Sequence, residues 1–149
     1  MIKELIDKLI EKNISISTAE SCTGGKIASF LVEIPNVSKV FNEGIICYSN
    51  NSKIKYLNVD PKTLEKYGAV SREVVLEMLK GLTSDVGIAT SGILGPNVIE
   101  NKEVGTVYIG IKVFESLNVL KYKFKGNRKQ IQRIASIKSI KLLKETFCG

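Results

Sequence analysis

Amphipathic helical patterns alternate along this chain with short apolar runs that end in small polar or glycine-rich turns, and that alternation admits few folds. Ile2, Leu5, Ile6, Leu9 and Ile10 mark one face of a helix, and Asn13 can end it in the left-handed conformation. Ile14, Ile16 and Thr18 alternate with Ser15 and Ser17, which predicts a strand. Gly24-Gly25 opens a helix carrying Ile27, Ala28, Phe30 and Leu31, stopped by Pro35. Gly44 to Tyr48 reads as a short buried strand. Ser49 caps a helix over Asn50 to Leu57, Asp60-Pro61 starts a shorter one ending near Tyr67-Gly68, and Ser71 caps the next, with Val74, Val75, Met78 and Leu79 inside. Val86 to Thr90 predicts a further buried strand, and Val104 to Phe114 and Leu117 to Phe124 a hairpin turning near Glu115-Ser116. The closing helix, about Arg128 to Thr146, has Ile131, Ile134, Ala135 and Leu142 on one face. Ile137, Ile140 and Leu143 fall elsewhere, a second apolar patch suited to another subunit. The expected fold is a three-layer α/β/α sandwich, one domain over residues 1–149, with a mixed sheet that includes a late antiparallel hairpin.

Composition narrows the chemistry more than the fold. The chain contains no histidine, which removes Ser-His-Asp and Cys-His catalysis and every imidazole-bound zinc. Acid–base chemistry near neutral pH then falls to a Lys, Tyr, Cys or carboxylate with a shifted pKa. Cys22, Cys47 and Cys148 are odd in number and widely spaced, so neither a disulfide framework nor a structural zinc site is expected. No apolar run reaches membrane-spanning length, and the acids at Glu4 and Asp7 do not suit a signal peptide; a cytoplasmic protein without membrane contact is expected. The net charge of +7 is uneven, with nine basic and no acidic residues between Lys121 and Lys144. Such a run suits either polyanion contact or a solvated surface. Without Trp, and with only Tyr122, Phe124 and Phe147 nearby, no specific nucleic-acid partner is expected.

Three strand ends carry the polar signals. Thr18-Ala19-Glu20-Ser21-Cys22-Thr23-Gly24-Gly25 joins a strand to a helix start, where unpaired N–H groups and the helix dipole favour negative charge. It suits a phosphate cradle, or an oxyanion hole beside Ser21 as nucleophile, or an ordinary glycine-rich turn. Tyr48-Ser49-Asn50-Asn51-Ser52-Lys53 sets Lys53 in the first turn of a helix, where the dipole and any desolvation both favour the neutral amine. A neutral lysine can take a proton from serine, so a Ser21–Lys53 pair is the most economical base arrangement for a chain without histidine; the alternative is a solvated surface lysine. Ser91-Gly92-Ile93-Leu94-Gly95-Pro96 is the third, with glycines that let backbone approach a ligand, or a tight connection and no more.

These segments, with Gly68-Ala69-Val70-Ser71 between the second and the third and Val104-Gly105-Thr106-Val107-Tyr108 and Gly126-Asn127-Arg128 after them, together resemble the CinA C-terminal domain family across nearly the whole chain. The resemblance is to its stand-alone, PncC-like nicotinamide-nucleotide amidohydrolases. It implies deamidation of nicotinamide mononucleotide to nicotinate mononucleotide plus ammonia. Ser21 would be the nucleophile, with Lys53 and Tyr48 assisting proton transfer. Oxyanion and substrate contacts would come from Cys22, Thr23, Gly24, Gly25, Ser91, Gly92, Thr106 and Arg128, the last a candidate for the substrate phosphate. No metal and no cofactor is implied. A small-molecule nucleotide is the expected partner, and a homo-oligomer, with a dimer favoured, the expected assembly.

The chain departs from the family pattern over Asn97 to Glu103, where further glycines and a Lys-Pro are usual. Val98 and Ile99 resist the left-handed conformations glycine allows, and Glu100 and Glu103 would repel a phosphate if they faced it. Asn127 also replaces an Asp. Weaker substrate binding follows as an expectation; a nucleotide-binding protein without turnover is the alternative function, and a nucleic-acid-binding module resting on the basic run ranks after it.

Overall fold

The computed structural model describes residues 1–149. Five strands form one sheet in the order β2-β1-β3-β4-β5, comprising β1 (Ile16–Glu20), β2 (Phe41–Ile46), β3 (Val86–Gly92), β4 (Thr106–Val113) and β5 (Ser116–Lys123). β1 runs parallel to both β2 and β3, whereas β3–β4 and β4–β5 are antiparallel, as the late hairpin required. Against one face pack α1 (Ile2–Lys12), α2 (Lys26–Val32) and α6 (Arg128–Cys148), burying Leu5, Leu9, Ile27 and Ile131 on Ile16, Ile88 and Ile109. The other face holds α3 (Asn50–Leu57), α4 (Pro61–Tyr67) and α5 (Arg72–Lys80), with Leu57, Val75 and Leu79 on Ala19 and Ala89. The architecture is the expected three-layer α/β/α sandwich with a mixed sheet.

Most helix ends follow their local chemistry. Asn13 takes φ 54° and ends α1, and Ser49, Asp60 and Ser71 each accept a backbone N–H at the start of α3, α4 and α5. Ser71 needs no acid three residues on, since its hydroxyl alone reaches the Val74 N–H. Asn127 and Gln130 form a full capping box at α6.

Three expectations are corrected. β2 is an edge strand and starts earlier than Gly44; its residues are largely exposed, and only Cys47 beyond its end is fully buried. The hairpin turns at Phe114-Glu115, with Phe114 at φ 54°, so Ser116 already belongs to β5. In α6, Ile134 is exposed, while Ile140 and Leu143 are in the core with Ala135. The helix is wedged against both the sheet and α1, so two of its faces are inward; Ile140 and Leu143 of the second patch are spent within the chain, and Ile137 is half-buried outside the core.

One position fixes how closely α5 approaches the sheet. A Cβ on Gly110 of β4 would lie 2.7 Å from a Leu79 methyl and 2.8 Å from a Val75 methyl. Gly110→Ala is therefore expected to destabilise the protein by about 1–3 kcal/mol through overpacking, read as a lower urea midpoint with unchanged slope.

Candidate active site

β1 lies between strands reached by crossovers on opposite faces: α2 leads to β2, and α3 to α5 lead to β3. Its C-terminal end is thus a topological switch point, where a cleft opens in sheets of this kind. Side chains alternate along β1, so Glu20 and Ser21 leave it on opposite sides. The Glu20 carboxylate turns under α2 and accepts the N–H groups of Gly25 (3.2 Å), Ile27 (3.0 Å) and Ala28 (3.0 Å). Ser21 meets α3, and Lys53 Nζ stands 3.1 Å from its Oγ.

That lysine is the largest fully buried side chain, 1% exposed. Its Nζ also donates to the carbonyls of Cys47 (2.9 Å) and Tyr48 (3.2 Å). Burial pushes its pKa below the ordinary 10.5. A neutral amine has two N–H donors and one lone pair. With two carbonyls taking the donors, the lone pair is left for the Ser21 hydroxyl, the arrangement a general base needs.

Burial also pushes the neighbouring thiols up, Cys22 to about 12 and Cys47 to about 11, so both stay protonated at neutral pH. The rival nucleophile beside Ser21 is thereby disarmed. The backbone N–H groups of Cys22 and Thr23 donate to no backbone acceptor; Thr23 is fully enclosed, so the Cys22 N–H is the one left for an oxyanion.

The glycines play another part. Gly24 donates its N–H to the Ser21 carbonyl and Gly25 to Glu20, so neither amide is open to a ligand. What they supply is positive φ, 59° and 96°, which lets the chain turn from β1 into α2. Because Glu20 already occupies the start of α2, the phosphate-cradle reading of this turn is set aside. Sequence reasoning passed over Glu20; an acid just ahead of a helix start was the available signal.

A cavity of about 270 Å³ opens over Ser21 and Lys53, walled by Tyr48, Ser91, Ile99 and Glu100 among others. Ser91 is fixed by donating its hydroxyl to the Ala69 carbonyl (2.8 Å), and Gly92 lies beside it. A second cavity, about 250 Å³, shares Cys22 and Tyr48 with the first and adds Gly24, Arg128, Lys129 and Gln132. Arg128 donates to the Gly95 carbonyl (2.7 Å) and to the Tyr48 hydroxyl (2.8 Å), so the phenol faces Arg128 while only the Tyr48 backbone touches Lys53. Lys129 is a second cation there that the sequence did not single out. Thr23 lines neither cavity and bonds its hydroxyl to Thr90. Thr106, the buried first residue of β4, lines neither as well; its backbone N–H and C=O tie to Glu103 and Ile93.

In the rebuilt loop, left-handed φ falls on Glu100 (56°) and Asn101 (59°), while Val98 and Ile99 avoid it and stay largely exposed. Glu100 faces the first cavity, whereas Glu103 pairs with Lys123 at the surface. No group of His, Cys, Asp and Glu is placed to hold a metal, and no helix is long and apolar enough to cross a membrane.

A family model described as CinA C-terminal domain matches residues 1–147. A CinA-like protein of Fusobacterium nucleatum is 54% identical over 87% of this chain, and the match covers 33% of that protein. The chain spans about a third of the length of the curated relatives it matches. Among solved structures, a competence-damaged protein (CinA) superfamily protein from Escherichia coli superposes with TM-score 0.95 at 30% identity, covering 98% of this chain and 88% of that one. A competence damage-inducible protein A (ComA) from Klebsiella pneumoniae gives TM-score 0.95 at 28% identity, with 99% and 94% covered.

The Lys53 pKa makes stability depend on pH in a stated direction. Between its folded value and 10.5 the unfolded chain binds more protons, so this position's contribution to stability rises with pH across that window. Measured against Lys53→Met in urea melts, the wild type is expected to gain steadily as pH climbs towards 10.5 and to show its largest deficit below the folded pKa of Lys53.

Proposed function

This chain belongs to the CinA C-terminal domain family, and on that premise we propose that it is an amidohydrolase that converts nicotinamide mononucleotide to nicotinate mononucleotide and ammonia. The observation that carries the reading is the 3.1 Å contact between a buried lysine amine and a serine hydroxyl at the mouth of β1, in a chain without histidine. Neutral Lys53 accepts the Ser21 proton as Oγ attacks the carboxamide carbon. The N–H group of Cys22, which lines the cavity, holds the developing oxyanion. The Lys53 ammonium then returns its proton to the departing nitrogen, and ammonia leaves an acyl-serine. Water, deprotonated by the same amine, attacks the ester and releases the acid and Ser21.

Two neighbouring cavities suit the two ends of such a substrate. The carboxamide ring belongs beside Ser21, and the phosphate beside Arg128 and Lys129. Arg128 has five N–H donors and engages two acceptors within the chain, so donors remain for an anion. Tyr48 stands between, its hydroxyl positioned by Arg128 and its carbonyl by Lys53. The alternative, a nucleotide-binding protein without turnover, draws on the rebuilt loop that walls the ring site.

Ammonia release from nicotinamide mononucleotide is the decisive assay. Ser21→Ala is expected to lower kcat by roughly a thousandfold or more while leaving the fold intact. Lys53→Arg should damage turnover as severely as Lys53→Ala, because arginine cannot give up its proton. Activity should rise with pH as Lys53 becomes neutral. Near-normal turnover in the arginine variant would sink the lysine-base mechanism. Binding without ammonia release in the wild type would favour the non-catalytic alternative.

A further inference from the structure

One acid in the cavity over Ser21 takes no part in the steps above. Glu100 stands on the wall of that cavity, carried by the loop that departs most from the family pattern. Its backbone and that of Asn101 are both left-handed, at φ 56° and 59°, a conformation that costs a residue with a side chain. Its carboxylate is held from behind: Oε2 accepts the Ala69 N–H (2.8 Å), and Oε1 the Val70 N–H (3.2 Å) and Lys102 Nζ (3.0 Å). Gly68 makes the approach possible, because a Cβ there would lie 2.3 Å from Oε1.

We propose that Glu100 is a specificity-determining residue, the counter-ion by which this site selects a cationic N-alkylpyridinium carboxamide over a neutral one. The inference rests on the amidohydrolase reading and names the charge of its substrate's ring.

Charge placement supports it. Lys102 pairs with Glu100 but does not line the cavity; its other donors go to the carbonyls of Tyr67 and Val70. The pair is therefore a dipole with its negative end at the cavity. Burial pushes the Glu100 carboxyl up, but Lys102 and the two amides outweigh it and hold its pKa below the ordinary 4.5, so the group is an anion in use. It is the only Asp or Glu on that wall, and the adjoining cavity carries Arg128 and Lys129 with no acid at all. With Lys53 as the free amine, the two cavities have opposite polarity, matching a ligand with a cationic ring at one end and a phosphate at the other. Tyr48, on the shared wall, offers an aromatic face of the kind that accepts cations. Glu100 draws the Lys53 pKa upward; a cationic ring seated between them would offset that pull and favour the free amine, and Glu100 would repel the carboxylate product.

The test compares two probes that differ by one methyl group and one charge, 1-methylnicotinamide and nicotinamide, titrated calorimetrically at low ionic strength. The wild type is expected to bind the cation about tenfold more tightly. Glu100→Gln should reduce the preference to within about twofold by weakening the cation alone. Lys102→Met, which frees the carboxylate from its partner, should increase the preference. An unchanged ratio in Glu100→Gln, parallel weakening of both probes, or no binding of either probe to the wild type overturns the proposal; parallel weakening would mean that Glu100 only fastens the loop. Should Glu100→Gln fail to fold, the Lys102→Met ratio decides alone. Ammonia release from nicotinamide mononucleotide is scored separately. Its absence alongside a Glu100-dependent cation preference would defeat the amidohydrolase reading and leave this inference standing.

Discussion

A primary amine is kept out of water where three strand ends converge, and much of the surrounding structure exists to make that tolerable. An unpartnered buried charge of this kind is among the costliest things a fold can hold. Lys53 meets the cost with two backbone carbonyls and one hydroxyl, the carbonyls delivered by one local device and the hydroxyl by another. The Ser49 cap starts α3 directly after β2, so the lysine is carried back over the carbonyls of Cys47 and Tyr48. The alternation of β1 turns Ser21 towards it. Glu20, turned the other way, pins the start of α2 through three amides and so fixes the turn that Ser21 stands on. A carboxylate and an amine on opposite faces of one strand thus hold a single serine between them.

The layer order and most helix boundaries were legible because they rest on local chemistry. Asn13, Ser49, Asp60 and Ser71 act within one turn of chain, and the apolar spacing of α1 and α5 needs no tertiary context. The absence of histidine made a Ser21–Lys53 pair the economical base arrangement, but spacing alone also allowed a solvated lysine, and it was the family resemblance that singled the pair out. What escaped was non-local. An edge strand and a central strand are both apolar in sequence, so nothing local in Gly44 to Tyr48 says that β2 has only one neighbour. The two inward faces of α6 depend on α1 arriving from the far end of the chain. Gly24 and Gly25 looked like ligand contacts, yet their amides are claimed by Ser21 and Glu20 within the same turn. Thr106 sits in a segment that matches the family pattern, but it begins a strand away from either cavity.

The loop from Asn97 to Glu103 shows how a site wall can be rebuilt without glycine. Left-handed backbone falls on Glu100 and Asn101, and hydrogen bonds accepted by Glu100 and donated by Lys102 fasten the segment to residues 67–70. A wall made of bare backbone is neutral; this one brings a fixed charge to the cavity.

The concentrated positive charge of the C-terminal third has a reading in the folded molecule other than polyanion contact. Arg133 lies over the Phe30 ring, Lys138 over Tyr122, and Lys144 pairs with Glu4, so the run is dispersed over separate surfaces. Lys121 and Lys123 are exposed on β5, whose outer edge no strand covers. A bare strand edge is a template on which another chain can build, and lysines along it are a common safeguard against that. Two copies meeting through β5 would have to crowd like charges together to extend the sheet. Self-association of this chain is thereby steered away from the β5 edge and towards its other surfaces.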